Sequence, residues 1–264
     1  MRHSIIIPHR DRAANLAVCI RRLNDTARDL GIDDYEIIVV DGGSEQTVEL
    51  GPHVSLATTY RGAVFNKPRL QNIGIDIARG DALTFLDADA VVGALFHAGA
   101  QYVLDNEHLT KLCYRVRVAP TNRSVTPALI ERLFAIYNQL PMAFEAYDAA
   151  DYDYRNDIVA GKPPAPDAVV FGNSHFTIAR DKLGDLHFDE AFVGRGYEDF
   201  WLNREIARAH GKAYNAEIWT DAEHAIINLP SERVPGWNVC TPDPEANLRA
   251  QRQNEANARL YRET

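Results

Sequence analysis

The order of strand and helix patterns in the first third of the chain restricts its fold more than any other feature. Three short apolar runs, typical of buried strands, lie at Ser4–Ile7, Glu36–Val40 and Leu83–Leu86. Between them, apolar residues recur at helical spacing from Ala13 to Leu30 and from Leu70 to Ile77. Strands that alternate with helices form a parallel sheet with crossover helices on its faces. We therefore predict an α/β fold with a mixed, mainly parallel sheet flanked by helices.

Acidic residues follow two of these predicted strands. Asp41 ends the second run and opens a glycine-rich turn, and Asp87 and Asp89 follow the third run. The carboxyl ends of parallel strands share one edge of the sheet, where open α/β sheets bind their ligands. Mg²⁺ and Mn²⁺ prefer carboxylate oxygens and commonly bridge them to phosphates. The pattern favours a phosphorylated ligand held with a divalent cation, although aspartates also cap helices and end strands for structural reasons alone.

A second acidic pair, Glu198 and Asp199, lies between a glycine-containing loop and a helical pattern that stops at Gly211. A carboxylate held at the start of a rigid helix suits a general base beside an acceptor hydroxyl. The structural alternative is that acidic residues in a first helical turn interact favourably with the helix dipole, which is worth about 0.3–1 kcal/mol. The residues alone leave both alternatives open.

Two further segments carry polar residues whose role the sequence alone does not decide. The alternation from Lys111 to Val118 predicts a half-exposed strand, with Lys111 and Cys113 on its polar face. His224 follows a strand-like segment, Ala213–Trp219, and is either a structural histidine or a metal ligand.

The composition is that of an ordinary globular protein. Of its 264 residues, 46% are hydrophobic and 25% are charged. The formal net charge of −9 argues against broad nonspecific binding to nucleic acid or anionic membranes. Three widely spaced cysteines form no metal or redox motif. Without a membrane-length apolar stretch or a signal-peptide pattern, we expect a cytoplasmic protein.

Several short segments together resemble a GT-A-fold glycosyltransferase of the inverting family 2 type, and residues 188–199 also resemble a galactosyltransferase-type C-terminal module. The segments keep their order from about residue 4 to about residue 224, and they are Ile5-Ile6-Ile7-Pro8 with Arg10, Val39-Val40-Asp41-Gly42-Gly43-Ser44, Arg69-Leu70-Gln71-Asn72-Ile73-Gly74, Phe85-Leu86-Asp87-Ala88-Asp89 and Tyr197-Glu198-Asp199. One departure is Arg195, which stands where galactosyltransferase-type relatives usually carry a tryptophan.

The resemblance implies a single GT-A domain over residues 1–264, with a nucleotide-sugar-binding half (about 1–95), an acceptor-binding half (about 96–242) and a C-terminal helix (about 243–264). It implies that the nucleotide sugar is bound by Pro8, Arg10, Asp41, Arg69 and Asp87. It makes Asp199 the catalytic base, and it assigns acceptor binding to Glu198, Arg195 and Tyr197. It also implies a Mn²⁺ or Mg²⁺ cofactor held by Asp89 and His224.

The function that follows is a metal-dependent inverting transfer of a sugar from a nucleoside-diphosphate sugar, expected to be a UDP-sugar. The acceptor is a hydroxyl of a glycan, a glycolipid or another molecule. One alternative acceptor is a hydroxylated base of DNA, for which a groove would be lined by Arg115, Arg117, Arg123 and Arg195. Two other classes stay open: a sugar-phosphate nucleotidyltransferase and a noncatalytic nucleotide-sugar binding module.

Overall fold

The computed structural model describes residues 2–46, 50–62, 64–114, 116–118, 175–194, 196–219, 223–224, 226–229 and 244–263. Its strands are β1 (His3–His9), β2 (Tyr35–Asp41), β3 (Val54–Thr58), β4 (Ala82–Phe85), β5 (Ala90–Val92), β6 (Lys111–Tyr114), β7 (Val116–Val118), β8 (Phe176–Ala179), β9 (Ala216–Trp219) and β10 (Ile226–Asn228). Its helices are α1 (Ala13–Asp29), α2 (Lys67–Ile77), α3 (Ala98–Asp105), α4 (Arg180–Leu183), α5 (Glu198–His210) and α6 (Pro244–Glu263), with a 3₁₀ turn at Gly211–Ala213.

Seven strands form one mixed sheet in the order β3-β2-β1-β4-β8-β6-β9. β1, β2, β3 and β4 are mutually parallel, β8 is antiparallel to both β4 and β6, and β9 is parallel to β6. A second sheet has the order β5-β10-β7. The parallel half of the large sheet therefore presents the ends of β1, β2 and β4 along one edge.

Alternate residues of the central strands pack on opposite faces of the large sheet. Ile5 and Ile7 of β1 belong to a buried cluster that includes Leu16 and Leu23 of α1. Ile6 lies in the other cluster, together with Ile206 of α5. Helices cover both faces, which explains why β1 and β2 are continuous apolar runs.

The predicted order of strands and helices over the first ninety residues is confirmed, since β1, α1, β2, α2 and β4 all form. The additional strand β3 is short and partly exposed, and its sequence VSLAT lacks a strong apolar pattern. One prediction was wrong. The sequence pattern placed Lys111 and Cys113 on a solvated face, but both are fully buried, because helix α5 packs over that face of the sheet.

Candidate functional site

The carboxyl ends of β1 and β2 are joined by polar side chains. His9 ends β1, and its Nδ1 lies 3.0 Å from Oδ1 of Asp41, the last residue of β2. The Ser44 amide donates to Asp41 Oδ2 at 3.0 Å, so the turn after β2 folds back on this carboxylate. The predicted residue Asp41 is thus paired with His9, and the predicted residue Pro8 precedes His9 and is paired with Val40, at the sheet edge where parallel strands present ligand contacts.

Asp87 and Asp89 follow β4 at the same edge, and each carboxylate is held by a cation. Lys67 Nζ lies 2.6 Å from Asp87 Oδ1, and His175 Nε2 lies 3.5 Å from Asp87 Oδ2. The Arg12 guanidinium donates to Asp89 Oδ2 at 2.7 Å. Each aspartate therefore has a positively charged neighbour, which favours its ionised form.

The two carboxyl groups differ in their ionisation. Burial would raise the pKa of Asp87, but the Lys67 ammonium and the His175 ring outweigh it and hold that pKa well below its usual range. Burial raises the pKa of Asp89, and the Arg12 guanidinium only partly offsets this. Among the described residues, Asp89 Oδ1 is buried without a hydrogen-bond partner. Asp89 is thus the carboxylate whose burial is only partly compensated by positive charge.

Lys67 connects the strand ends to the second acidic pair. Its ammonium lies 3.8 Å from Glu198 Oε1, in addition to its short contact with Asp87. Burial raises the pKa of Glu198 to about 7, and the negative charge of Asp199 acts in the same direction, whereas Lys67 opposes both. The sheet edge and the start of α5 therefore belong to one site.

The loop before α5 adopts a backbone conformation that is rare for non-glycine residues. Gly194, Gly196 and Tyr197 all have positive φ, of 76°, 92° and 74°. Tyr197 precedes the first helical residue, Glu198, which is buried, and Asp199, which is partly exposed. Asp199 Oδ1 accepts a hydrogen bond from the Phe200 amide at 3.0 Å. The loop and helix start thus hold the two carboxylates side by side in different surroundings.

The remaining predicted residues are spread around this site. Arg10 follows β1, is largely buried, and its Nε lies 3.9 Å from Asp11 Oδ2. Arg69 lies at the surface, where it donates to the Tyr60 hydroxyl and stacks 4.6 Å from the centroid of the Tyr60 ring. Arg115, Arg123 and Arg195 lie outside the described residues, as does the side chain of Arg117.

The register of β5 and β10 places His224 beyond the Val92 end of β5, whereas Asp89 precedes its Ala90 end. The antiparallel register pairs Asn228 with Ala90 and Ile226 with Val92, and the Leu95 amide donates to the Glu223 carbonyl. His224 packs on Trp219, with ring centroids 3.9 Å apart. That Asp89 and His224 ligate one metal stays a prediction.

A metal bound by Asp89 could take its further ligands from the substrate. In the part of the chain that the structure describes, no three His, Cys, Asp or Glu side chains form a preassembled metal cluster. Mg²⁺ is commonly held by one or two carboxylates together with substrate phosphates, so a dedicated cluster is not required. The free, buried Oδ1 of Asp89 fits this mode of binding.

Sequence reasoning missed the basic partners of the acidic groups, which are Arg12, Lys67 and His175. A local signal existed for Lys67 alone: Asn66 caps α2 by accepting from the Arg69 amide at 3.0 Å, and Pro68 occupies the first turn. That pattern marks a helix start, and hence a lysine at the edge of the sheet. Arg12 is 77 residues from Asp89, and nothing local indicates their pairing.

Comparison with known proteins agrees with this geometry. Residues 4–94 match the family model described as Glycosyl transferase family 2. This segment contains β1, β2 and β4 together with Asp41, Asp87 and Asp89. Residues 4–94 are thus similar to glycosyltransferases of that family. No curated protein matches the sequence of the chain.

Solved structures show that the described part of the chain has a GT-A fold. S. aureus TarS 1–349 superposes with a TM-score of 0.54 at 14% identity, covering 87% of this chain and 60% of TarS 1–349. The same protein in complex with UDP-GlcNAc gives a TM-score of 0.54 at 15% identity, covering 97% of this chain and 66% of that one. The chain therefore spans less than two thirds of the first of these TarS structures and 66% of the second. The family match ends at residue 94, so the galactosyltransferase-type module stays a prediction.

Among the helices that the structure describes, none is both long and apolar enough to cross a bilayer.

Proposed function

We propose that the protein transfers a sugar from a UDP-sugar to a hydroxyl group of a glycan, glycolipid or related acceptor, with inversion at the anomeric carbon. The observation that carries this proposal is the contact of Lys67 with both Asp87 and Glu198. It unites the strand-end carboxylates, which suit a nucleotide diphosphate, with a carboxylate pair that suits an acceptor hydroxyl. The TarS complex with UDP-GlcNAc, a structure of the same fold, supports UDP as the nucleotide.

In this proposal the donor is held at the edge formed by β1, β2 and β4. Pro8, Arg10 and Asp41 line the nucleotide end, Arg69 lies beside it on α2, and Asp87 and Asp89 face the diphosphate. Mn²⁺ or Mg²⁺, held by the free oxygen of Asp89 and by the diphosphate, would neutralise negative charge on the leaving group. Arg12 and Lys67 hold the two aspartates at the strand ends.

Asp199 is the proposed base. It takes the proton of the acceptor hydroxyl while the oxygen of that hydroxyl forms a bond to the anomeric carbon. The bond from that carbon to the diphosphate breaks at the opposite face, and the nucleoside diphosphate leaves with the electron pair. Glu198, whose pKa of about 7 leaves it partly protonated at neutral pH, can donate a hydrogen bond to the acceptor. Arg195 and Tyr197 precede Glu198 and Asp199 in the sequence, and they are the other two residues proposed to bind the acceptor.

The test is calorimetric binding of UDP, GDP and CDP, each with and without Mn²⁺, to the wild type and to Asp89→Ala. We expect Mn²⁺-dependent binding of UDP and its loss in the variant, because the free Asp89 oxygen is then missing. Asp181→Ala, at an exposed aspartate in α4, is the matched control and should bind as the wild type does. Absence of nucleotide binding with either protein under all conditions would rule out the proposed donor site.

A further inference from the structure

The loop that precedes Glu198 is held from one side by helix α2. The Gly194 amide donates to the carbonyl of Phe65 at 3.0 Å, just before α2 begins. Asn66 Nδ2, at the cap of α2, donates to the Glu190 carbonyl at 2.9 Å. These contacts fix the near end of the loop to the helix that carries Lys67, but they stop short of Gly196 and Tyr197.

The other side of the loop is held by the C-terminal helix, α6. Asn257 is 2% exposed, and its Nδ2 donates to the carbonyls of both Val193 and Gly196, at 3.0 and 3.1 Å. Its Oδ1 accepts from Gln253 Nε2 at 3.1 Å, which orients the amide. One buried side chain of α6 therefore bridges the two ends of the loop.

The bridged loop stores backbone strain at the residue before the carboxylates. Tyr197 has a φ of 74°, a left-handed conformation that costs a bulky residue free energy and persists only where its surroundings impose it. Helix α6 supplies those surroundings: the Tyr261 ring lies 5.8 Å from the Tyr197 ring and 4.7 Å from the Arg204 guanidinium of α5. The direction in which α5 begins is thus tied to α6.

We propose that Asn257 is a positioning residue for the reaction, and that α6 clamps the Val193–Tyr197 loop so that Glu198 and Asp199 face the acceptor. The proposal rests on the proposed function for its catalytic consequence only. The clamp itself is a property of the loop and can be measured without a substrate. An amide is suited to this role because its two N–H groups can satisfy two carbonyls at once.

The test compares Asn257→Asp and Asn257→Leu with the matched control Arg259→Ala, an exposed position two residues further along α6. Asp has the same shape as Asn but turns oxygen toward the two carbonyls, and Leu removes the donors without adding repulsion. Hydrogen–deuterium exchange of the peptides that cover residues 193–201 is the first readout. We expect exchange there to be accelerated about tenfold or more in both Asn257 variants, with no change in the central strands.

The second readout is kinetic and separates positioning from general stability. In both Asn257 variants we expect the kcat for UDP release from a UDP-sugar to fall about tenfold or more, while the donor KM and the Kd for UDP with Mn²⁺ change less than about twofold. Unchanged exchange over residues 193–201, or acceleration spread evenly over the central strands, would overturn the clamp. If the wild type binds no UDP, the proposed function fails, and the exchange result still decides the clamp.

Discussion

The adjacent carboxylates Glu198 and Asp199 show how surroundings separate two residues of the same chemistry. Glu198 is buried beside Lys67, and with a pKa of about 7 it is only partly ionised at neutral pH. Asp199 is partly exposed in the first turn of α5, where the helix dipole favours its negative charge. A carboxylate with access to an incoming hydroxyl is the better base, whereas a buried and partly protonated one is the better hydrogen-bond donor.

Asp199→Asn is therefore expected to lower the kcat for UDP release from a UDP-sugar by about 10²–10⁴-fold, since general base catalysis is typically worth that much. Binding of UDP should stay the same, because Asp199 does not contact the strand ends. Initial-rate kinetics and calorimetry measure the two effects, with Asp181→Asn, an exposed aspartate in α4, as the control. A variant that keeps its turnover would assign the base to another residue.

Lys67→Met tests the link between the two acidic groups. The Lys67 ammonium lowers the pKa of Glu198 against the effect of burial, so its removal should raise that pKa above about 7. Glu198 then stays protonated up to a higher pH, so any dependence of kcat on its ionisation moves to higher pH. The measurement is a pH–rate profile from pH 5.5 to 9, compared with Lys212→Met at an exposed site. An unshifted profile would mean that Glu198 ionisation does not limit turnover.

At the scale of elements, the sequence was sufficient where local pattern and tertiary environment agree. The apolar runs of β1 and β2 and the helical spacing of α1 predicted those elements, and strand ends located Asp41, Asp87 and Asp89. The start of α5 likewise located Glu198. The positions of the three aspartates follow from the order of the strands, because the carboxyl ends of parallel strands lie at a common edge of the sheet.

The sequence was insufficient where a residue's environment is made by distant elements. The alternation at Lys111 was correct in period, but whether a face of β6 is solvated depends on α5, which packs against it through Asn203. The partners of the aspartates come from separate segments, α2 and the residues before β8, and local patterns carry no record of such contacts. The burial of Asn257 could not be predicted for the same reason, since a polar residue in a polar helix gives no sign that it is buried.

The contact of α2 with β1 predicts that a glycine-to-alanine substitution in a helix destabilises this protein, which is the reverse of the usual effect. Replacing glycine by alanine inside a helix normally stabilises it, by about 0.5–1 kcal/mol. At Gly74, however, an added Cβ would lie 2.3 Å from Ile6 Cγ2 on the central strand. We expect Gly74→Ala to destabilise the protein by about 1–3 kcal/mol, the usual cost of overpacking.

Urea unfolding of Gly74→Ala measures this loss. The control is Gly51→Ala, whose Cβ would meet, among the described residues, only Asn24 Nδ2 at 3.6 Å, an ordinary contact, so a change within about 0.5 kcal/mol is expected there. Stabilisation of Gly74→Ala would show that α2 can move away from the sheet at little cost. It would also weaken the view that α2 holds Lys67 rigidly at the strand ends.

For the molecule as a whole, buried titratable groups act on stability in opposite directions. Burial lowers the pKa of His97 from 6.5 to about 4 and lowers the pKa of His3 as well, and the Nδ1 atoms of both rings lack a partner among the described residues. Between pH 6.5 and about 4 the unfolded chain binds a proton at His97 that the folded one does not. Stability therefore falls as the pH falls through this range, by about 3 kcal/mol for His97.

Glu198 has the opposite effect. Its pKa rises from 4.5 to about 7 on folding, so between these pH values the folded chain holds a proton that the unfolded one lacks. Stability then falls as the pH rises, also by about 3 kcal/mol. The two windows overlap between about pH 4.5 and 6.5, and the contributions of His97 and Glu198 largely cancel in the wild type.

Single substitutions should expose the two opposed contributions. In Glu198→Gln the free energy of unfolding is expected to rise with pH between 4.5 and 6.5 more steeply than in the wild type, because the opposing carboxyl group is gone. In His97→Gln the slope should become less positive by about 1.4 kcal/mol per pH unit, apart from a constant offset for the lost ring contacts. Urea unfolding at pH 4.5, 5.5 and 6.5 measures these slopes, with the exposed His108→Gln as a control that should follow the wild type. Parallel curves for all four proteins would contradict the prediction, since they would mean that neither buried group changes its protonation on unfolding within this range.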